Sequence, residues 1–395
     1  MALTFIHTSD WHLGFTYRRL GARAQESYQW RFDAVNRLFD LAREHAAQFI
    51  VVAGDVFQTS SPASEVQRQA AELLRATPCP IYLIPGNHDP HIPGGAWKNS
   101  LFANALAGHN LVHLILEAKP LQIANGTAEL FPCPLTQRDA VNDPTAWIPA
   151  SGDSSLFRIG LAHGQWQGYF GPMEKTASHQ INPDRANLCK LDYLALGDYH
   201  SYTPANHNAA ARRTYYSGTP EVTARDEARS GHALLVKIDA PDAIPNVTPI
   251  AVGTLQLCHW EKVLLSAGEA QKELENRAAA IENPAQTIVG GSLSGFISQE
   301  ELDWVSAWQN EFAHHVAGLD LSIDELQAEP TSADFDALEL GSAERQVWEM
   351  LNSSIAASEL SNDANAEMIA SWSEDDTARR EAQKLFYGLL SETQS

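Results

Sequence analysis

Short apolar runs alternate with amphipathic stretches along the first 90 residues. Three runs have the length and the β-branched or aromatic content of buried strands, namely Leu3–His7, Phe49–Ala53 and Ile81–Ile84. Two stretches between them, Gln25–His45 and Ser64–Ala76, repeat apolar residues at helical spacing. We expect Ser64 to be the N-cap of the second helix, because a serine hydroxyl can accept a hydrogen bond from a free backbone N–H there. The alternation predicts a parallel sheet covered by helices.

The pattern becomes richer in strands beyond residue 120. In Leu121–Leu135, the pair Asn125-Gly126 separates two apolar stretches, which is a strong signal of a β-hairpin. Further strand candidates are Phe157–Ala162, Tyr193–Leu196, Arg213–Tyr216 and Ala233–Ile238. We therefore predict an α/β fold of the sandwich type, in which two mixed β-sheets pack face to face and are flanked by helices.

A compact β-α-β-α-β pattern follows in residues 259–325. Its predicted elements are Lys262–Ser266, Ala267–Ile281, Thr287–Ser294, Gln299–His314 and Val316–Ile323. We interpret it as a small separate domain that follows a main domain of residues 1–258. Residues 326–395 are interpreted as a polar linker and two C-terminal helices, Ser342–Ala357 and Asp375–Leu390.

Negative charge is concentrated towards the end of the sequence. The 395 residues carry a net charge of −22, and residues 251–395 account for −19 of it, with 7 Lys and Arg against 26 Asp and Glu. Proteins bind duplex DNA largely through Lys and Arg that neutralise phosphates, so this third of the chain is a poor surface for nucleic acid. A phosphate-bearing substrate must therefore meet residues 1–250, metal ions or a partner protein.

The composition argues against several other classes of protein. With 44% hydrophobic residues and no uncharged apolar stretch of roughly 18 residues, the sequence predicts a globular protein that makes no contact with the membrane. The first 12 residues lack the basic and apolar regions of a signal peptide, so we expect a cytoplasmic location. The four cysteines lie far apart without a CxxC pair, which favours buried thiols over a zinc site or a disulfide framework.

Acidic residues and histidines follow five of the predicted strands. In chain order, the candidate site residues are Asp10, His12, Asp55, Asn87, His88, His163, Asp198 and His200. Sites in open α/β sheets form at the C-terminal ends of the strands, and glycines beside several of these residues permit tight turns. We expect these side chains to meet at one edge of the fold.

The candidate ligands combine carboxylates, an amide and imidazoles, without cysteine. Such donors suit Mn²⁺, Mg²⁺, Fe or Zn²⁺ better than a soft metal. They are more numerous than one ion can accept, so we expect two divalent metal ions, and Asp55 is the natural bridging carboxylate. Two ions roughly 3.5–4 Å apart can clamp the attacking and leaving oxygens of a phosphoryl displacement.

The order of the motifs is similar to that of a known family. SDWHLG, GDVF, GNHD, AHG and GDYH resemble the motifs of the calcineurin-like metallophosphoesterase superfamily. SDWHLG and the later YSGTPE and GHALLV more narrowly resemble the SbcD-type DNA-repair exonuclease branch. The resemblance covers about residues 1–240, and a small capping domain that is typical of the branch matches residues 259–325 in outline only.

The resemblance implies a role for each candidate residue. The first metal would be bound by Asp10, His12 and His200, the second by Asn87, His163 and Asp198, and Asp55 would bridge them. Mn²⁺ would be the first choice of metal. A hydroxide held between the metals would attack phosphorus, while His88 would face the phosphate, stabilise the transition state and help to protonate the leaving oxygen.

Two positions depart from the family pattern. The usual GHxH is GDYH here, so Asp198 replaces a histidine. A carboxylate still binds a hard metal, and it should raise the preference for Mn²⁺ or Mg²⁺ over softer metals. Gln58 stands where several nucleases of the family have a histidine, and glutamine cannot transfer a proton there.

The resemblance implies a DNA exo/endonuclease subunit that acts with an SbcC-like ATPase in DNA repair. On that interpretation, the substrate is DNA and the C-terminal helices dock on the ATPase. Two alternatives stay open: a small-molecule phosphomonoesterase or cyclic-nucleotide phosphodiesterase, which the negative charge favours, and a structural subunit with a weakened active site. A homodimer is also left open, and the sequence assigns no substrate-binding residue.

Several neighbours of the motifs have two interpretations each. Trp11 and Phe57 could stack on a base, although packing beneath the site is the simpler expectation. The arginines that follow the first motif, Arg18, Arg19 and Arg23, could meet substrate phosphates or lie on a solvated loop. Asp89 could orient His88 or its loop, or be solvated at the surface.

Overall fold

A computed structural model describes residues 2–153, 155–167, 178–203, 212–224, 227, 229–329, 341–352, 382–383, 386–387 and 390. The chain divides into two compact units. The first comprises residues 1–259, 283–289 and 316–318, and the second comprises residues 260–282, 290–315 and 319–395. Within the described ranges, no helix is both long enough and apolar enough to cross a membrane.

The described residues form both β-strands and α-helices. In chain order the strands are β1 (Leu3–Thr8), β2 (Phe49–Val52), β3 (Ile81–Leu83), β4 (Val112–Leu114), β5 (Leu121–Ile123), β6 (Ala128–Cys133), β7 (Phe157–His163), β8 (Tyr193–Gly197), β9 (Thr214–Tyr216), β10 (His232–Ile238), β11 (Asn246–Ala251), β12 (Gln256–Ser266), β13 (Thr287–Ile297) and β14 (Gly318–Ala328). The α-helices are α1 (Ala24–Glu44), α2 (Ser64–Arg75), α3 (Leu101–Leu106), α4 (Arg185–Leu188), α5 (Ala270–Ala279), α6 (Gln299–Phe312) and α7 (Ser342–Asn352).

The first unit contains two mixed sheets. One has the order β11-β10-β1-β2-β3-β4, in which β1 to β4 are parallel and the pairs β1–β10 and β10–β11 are antiparallel. The other has the order β5-β6-β7-β8-β9, in which only the β5–β6 hairpin is antiparallel. The predicted parallel run and the predicted hairpin are both confirmed.

Alternate residues of the strands face two different cores. On β1, Phe5 belongs to a buried cluster that also contains Leu161 and Tyr193 of the other sheet. Its neighbour Ile6 belongs to a second cluster, with Leu38 of α1 and residues of α2. Because side chains alternate along a strand, the two sheets pack face to face and α1 and α2 cover the outer face of the six-stranded sheet. The predicted α/β sandwich is thus confirmed.

The sequence analysis assigned one helix N-cap to the wrong residue, and it missed several short elements. Ser64 is the first residue of α2 rather than its N-cap, which is Ala63. The reason is that the Gln67 N–H already donates to the Ala63 carbonyl at 3.1 Å, so the helix begins one residue earlier. Among the elements that were not predicted are α3, β4 and β11.

The second unit shows the predicted alternation of strands and helices. β12, β13 and β14 form a three-stranded sheet in that order, and α5 and α6 connect them. α6 begins with a capping box, in which the Ser298 hydroxyl accepts from the Glu301 N–H and the Glu301 carboxylate accepts from the Ser298 N–H. The boundaries 1–258, 259–325 and 326–395 stay predictions, and most of the expected helix Asp375–Leu390 lies outside the described residues.

Candidate active site

Loops at the C-terminal ends of parallel strands bring all eight candidate residues to one place. Asp10 and His12 follow β1, Asp55 follows β2, Asn87 and His88 follow β3, His163 ends β7, and Asp198 and His200 follow β8. Since β1, β2 and β3 belong to one sheet and β7 and β8 to the other, both sheets contribute side chains to the same cluster.

The first group of donors surrounds two histidine nitrogens. The Nε2 atoms of His12 and His200 lie 3.0 Å apart. His200 Nε2 is 4.0 Å from Asp10 Oδ1, and His12 Nε2 is 4.0 Å from Asp55 Oδ2. Each of these residues thus points a potential ligand atom towards a common centre.

The second group surrounds His163. Its Nε2 lies 3.0 Å from Asn87 Oδ1, 3.6 Å from Asp55 Oδ2 and 3.7 Å from Asp198 Oδ1. Asp55 Oδ2 therefore lies beside both groups. Among the described residues, Asp198 belongs to no set of three whose ligand atoms all lie within 4.8 Å of one another, whereas Asp10, Asp55 and His163 form such a set.

The arrangement of donors fits divalent metal ions. Ligand bonds of about 2.0–2.2 Å allow two ligands of one ion to be up to roughly 4.4 Å apart, and the distances from His200 Nε2 and His163 Nε2 to the neighbouring donors of their groups are 3.0–4.0 Å. Among the residues that the structure describes, the buried Nδ1 of His12 has no hydrogen-bond partner, and its Nε2 faces another imidazole nitrogen. Buried polar atoms are seldom left in this way without a further partner, so the cluster is a candidate metal centre.

Hydrogen bonds on the far side of two imidazoles fix which nitrogen faces the cluster. His163 Nδ1 lies 2.7 Å from the Ala53 carbonyl, and His200 Nδ1 lies 2.6 Å from Glu227 Oε1. Because these partners accept a proton, Nδ1 carries the proton in each neutral ring, and Nε2 is the nitrogen that can bind a ligand. Sequence reasoning missed Glu227, which is 27 residues beyond His200 on an irregular segment.

The backbone is strained at four of the candidate ligands. Their φ angles are positive, at 53° for Asp10, 45° for His12, 53° for Asp55 and 102° for Asp198. Such conformations cost of order 1–3 kcal/mol each for residues other than glycine, and they cluster at functional sites. Hydrogen bonds between loops hold them, since the Asp10 N–H donates to Gly54 O at 3.0 Å and the His12 N–H donates to Asp55 O at 3.0 Å.

Glycine is required where two loops cross beneath the cluster. A Cβ atom at Gly86 would lie 2.1 Å from Asp55 Oδ1, and one at Gly54 would lie 2.4 Å from His163 Nδ1. Either atom would displace a candidate ligand. The glycines of the GD and GN motifs thus let the backbone approach the donors closely.

The carboxylates and imidazoles alter each other's proton affinity. Burial disfavours the charged form of His163, but Asp55, Asp10 and Asp198 outweigh it and raise the pKa of His163 to about 9. Burial likewise opposes charge on His200, but Glu227 and Asp10 raise its pKa to about 9. The cluster therefore attracts positive charge, and a divalent ion would compete with these protons.

His88 and Asp89 have different positions beside the cluster. The His88 backbone N–H donates to Asp55 Oδ1 at 2.8 Å, and its Nδ1 lies 3.2 Å from the Gln58 carbonyl. Asp89 is fully buried and accepts hydrogen bonds from the N–H groups of Phe57 and Gly86, at 2.9 and 2.8 Å. The interpretation of Asp89 as a solvated residue is therefore wrong, because it ties together the loops after β2 and β3.

Most of the other residues beside the motifs are buried or hydrogen-bonded within the protein. Trp11 and Phe57 are fully buried, so base stacking by either ring is excluded. Arg23 donates to Glu26 and to the Ala285 carbonyl. Arg18 is exposed, and the side chain of Arg19 lies outside the described residues.

A family model of calcineurin-like phosphoesterases matches residues 3–200, which include every candidate site residue. The chain belongs to the calcineurin-like phosphoesterase family. Members of this family bind divalent metals, and this metallophosphoesterase has a cluster of His and Asp residues that suits such ions. The resemblance inferred from the motifs is confirmed.

Curated relatives match parts of the phosphoesterase. Over 213 residues it is 28% identical to the uncharacterized metallophosphoesterase YhaO of Bacillus subtilis, a match that covers 50% of this chain and 48% of the relative. Over 92 residues it is 36% identical to a subunit of the nuclease SbcCD of Escherichia coli, covering 22% and 21% of the two chains. Over 103 residues it is 30% identical to the DNA double-strand break repair protein Mre11 of Methanococcus maripaludis, covering 25% and 26%.

These matches span half or less of each relative's length. A solved structure of the calcineurin-like phosphoesterase YfkN from Bacillus subtilis is also similar, with a TM-score of 0.39 and 13% identity. That match covers 64% of this chain and 91% of the other.

Proposed function

We propose that the protein is a two-metal phosphodiesterase that acts on DNA as an exo/endonuclease subunit. The observation that carries the proposal is the position of Asp55 Oδ2, which lies 4.0 Å from His12 Nε2 in one donor group and 3.6 Å from His163 Nε2 in the other. A carboxylate shared by two groups of donors is what a pair of closely spaced ions requires.

Each donor group would hold one ion. The ligands proposed for the first position are Asp10, His12 and His200, those for the second are Asn87, His163 and Asp198, and Asp55 is the bridge. Because the donors are oxygen and imidazole nitrogen, Mn²⁺ is the proposed metal, with Mg²⁺, Fe and Zn²⁺ as alternatives. Two such ions supply Lewis acidity, which activates water and neutralises charge on the phosphate.

His88 is proposed to contact the substrate and not to bind metal. Its Nδ1–H donates to the Gln58 carbonyl, so that Nε2 is the nitrogen that would act on a substrate. This ring packs against His12 with their centroids 4.9 Å apart. From there, Nε2 would bind a phosphoryl oxygen, stabilise the charge that develops on it and pass a proton to the leaving oxygen.

Two considerations bear on the substrate class. The names of the relatives, which include an SbcCD nuclease and a double-strand break repair protein, support DNA as the substrate. The charge distribution favours a second candidate, a small phosphomonoester or cyclic nucleotide, because residues 1–250 carry 20 basic against 23 acidic residues and offer no excess of positive charge.

The domain assignments belong to the same proposal. Residues 1–258 would be the catalytic domain, residues 259–325 a capping domain, and residues 326–395 a segment that binds an SbcC-like ATPase. Deletion of residues 340–395 should abolish co-purification with such an ATPase while leaving metal-dependent hydrolysis by the remaining chain. Undiminished co-purification would contradict this part of the proposal.

A comparison of substrates tests the main claim. We expect the pure protein with Mn²⁺ to cleave single-stranded or duplex DNA as well as bis-p-nitrophenyl phosphate, and chelation by EDTA to stop both reactions. Cleavage of the small ester alone, with or without the ATPase, would contradict the nuclease and support the second candidate. Failure on every substrate would contradict both and support a structural subunit with a weakened site.

A further inference from the structure

A buried carboxylate lies directly behind His200. Glu227 is 7% exposed, and its Oε1 lies 2.6 Å from His200 Nδ1, on the side of the ring that faces away from the donor cluster. Thr223 also lies against this nitrogen, with its Oγ1 at 2.7 Å. His200 therefore has a defined partner on each ring nitrogen, unlike His12, whose Nδ1 has no hydrogen-bond partner within the described part of the chain.

The donors around Glu227 require an ionised carboxylate. Oε2 accepts from the Thr223 N–H at 2.8 Å, while Oε1 accepts from the Thr223 hydroxyl and from His200 Nδ1–H. An amide has only one oxygen, so it cannot accept at both positions. If its oxygen faced the Thr223 N–H, its NH₂ group would face His200 Nδ1 and favour the opposite tautomer, in which Nε2 carries the proton and cannot bind a metal.

The surrounding segment also contacts Asp10. The Thr219 hydroxyl donates to the Asp10 carbonyl at 2.8 Å. Ser217 Oγ lies 2.8 Å from Ser9 Oγ, which donates to Asp10 Oδ2. Among the described residues, no hydrogen bond joins residues 217–227 to Asn87 or His163. This segment therefore supports the first donor group and not the second.

We propose that Glu227 is a positioning residue that fixes His200 with its proton on Nδ1, and that it thereby sets the metal affinity of the first position alone. The inference rests on the proposed two-metal function. Partners of this kind behind a metal-binding histidine typically contribute about 10–100-fold to metal affinity. Because Glu227 touches no other candidate ligand in the described hydrogen bonds, its removal should affect one binding event of the two.

Glu227→Gln tests the proposal, with Glu221→Gln as the matched control. Glu221 is 1% exposed on the same segment, and its carboxylate accepts from the N–H groups of Thr254 and Leu255 at 2.7 and 3.0 Å. Both substitutions replace a buried glutamate by an amide of the same shape, but only one of them faces a candidate ligand. Calorimetric titration with Mn²⁺ would measure the two binding events in the full chain.

We expect Glu227→Gln to weaken one Mn²⁺ binding event by about 10–100-fold and to leave the other unchanged. Glu221→Gln should leave both affinities unchanged. Long-range ¹H–¹⁵N correlation spectra of the metal-free proteins, recorded above the His200 pKa of about 9 so that the ring is neutral, should show His200 protonated on Nδ1 in the wild type and on Nε2 in Glu227→Gln. Wild-type affinities with an unchanged tautomer would overturn the proposal, and so would an equal loss in both variants, since that would indicate a general structural effect.

The wild-type titration separates this inference from the proposed function. If the wild-type protein binds fewer than two Mn²⁺ ions, the two-metal function itself fails. If the wild type binds two ions and hydrolyses phosphodiesters while Glu227→Gln behaves identically, only the role of Glu227 fails.

Discussion

Asp55 is the residue on which most contacts of the site converge. Its Oδ1 accepts from the His88 N–H at 2.8 Å, while its Oδ2 faces His12 and His163. Burial, together with the neighbouring Asp10, raises the pKa of Asp55 to about 6 although His163 opposes this shift. Its position thus depends on close packing beneath it, where Gly86 leaves no room for a side chain.

Gly86→Ala should displace Asp55 and impair hydrolysis. The added Cβ would lie 2.1 Å from Asp55 Oδ1 and 2.5 Å from the Asp55 backbone nitrogen. A displacement of about 1 Å in a catalytic group can cost about 100-fold in rate, so we expect a loss of that order in kcat. Gly160→Ala is the control, because the atoms nearest to its Cβ would belong to the core residues Leu194 and Leu191 rather than to a candidate ligand. Equal kinetics of both variants would contradict the role of Gly86.

Asp198→His should shift the metal preference of the second position. A second imidazole in place of a carboxylate makes that donor group softer and removes one negative charge, so Zn²⁺ should gain on Mn²⁺. Competition between the two ions, followed by elemental analysis after dialysis, would measure the shift. An unchanged Zn²⁺ to Mn²⁺ ratio would show that Asp198, which lies 3.7 Å from His163 Nε2, does not bind the metal.

At the scale of residues, the sequence indicated those that directly follow a strand. Asp10, Asp55 and His163 could be found because strand ends in a parallel sheet meet at one edge. Glu227 could not, since it lies on an irregular segment and its partner His200 is 27 residues away. The burial of Asp89 was also hidden, because its partners are backbone N–H groups, which leave no signal in the sequence.

At the scale of elements, a buried histidine joins the two sheets. His7 on β1 contacts β8, with its Nδ1 2.9 Å from the Tyr193 hydroxyl and its Nε2 3.2 Å from the Leu196 carbonyl. A neutral imidazole satisfies both partners, since it accepts from the hydroxyl and donates to the carbonyl. β1 leads to Asp10 and β8 leads to Asp198, so this contact holds together the two strands that deliver candidate ligands.

The His7 contact should make folding depend on pH. Burial lowers the pKa of His7 to about 3, below its ordinary 6.5. Between these values the unfolded chain binds a proton that the folded chain does not, so the free energy of unfolding falls as the pH falls below 6.5. Between about pH 7 and pH 5, the wild type should lose about 2 kcal/mol more than His7→Gln, as measured by urea denaturation in EDTA. Parallel losses in the two proteins would contradict a neutral buried His7.

The elements that the sequence predicted are those with a long or regular pattern. α1 has 21 residues with a repeated apolar face, and β1 and β7 are buried runs rich in apolar residues. The missed elements give weaker signals, since α3 has 6 residues and β4 has 3. β11 contains Pro249 and is largely exposed, so its sequence does not resemble that of a buried strand. It is recognised as a strand by its pairing with β10.

At the scale of the whole molecule, charge limits how nucleic acid can bind. The net charge is −22, and there is no Lys or Arg between Arg277 and Arg345. Near the first motif, Arg31 is buried and donates to the carbonyls of Glu221 and Val222. Positive charge for a polyanion must therefore come largely from bound metal ions or from a partner.

DNA binding by the isolated protein should depend only weakly on salt. Each neutralised phosphate contributes about −0.9 to the slope of log K against log salt concentration. With so little excess basic charge, we expect a slope of about −3 or shallower, and binding that requires Mn²⁺. Fluorescence anisotropy of a labelled oligonucleotide between about 50 and 200 mM salt would measure this slope. A slope as steep as about −7 would reveal a basic surface that binds the DNA backbone, which the charge distribution does not indicate.

The shared carboxylate is tested most directly by Mn²⁺ binding to the wild type and to Asp55→Asn. Asparagine tolerates the left-handed backbone of Asp55, whose φ is 53°, so the variant should fold. We predict that the wild type binds two Mn²⁺ ions whose EPR spectrum shows magnetic coupling and that it hydrolyses bis-p-nitrophenyl phosphate. Asp55→Asn should lose both the coupled signal and the hydrolysis. A variant that kept the coupled pair and its activity would contradict the assignment of Asp55 as the bridge between two metals.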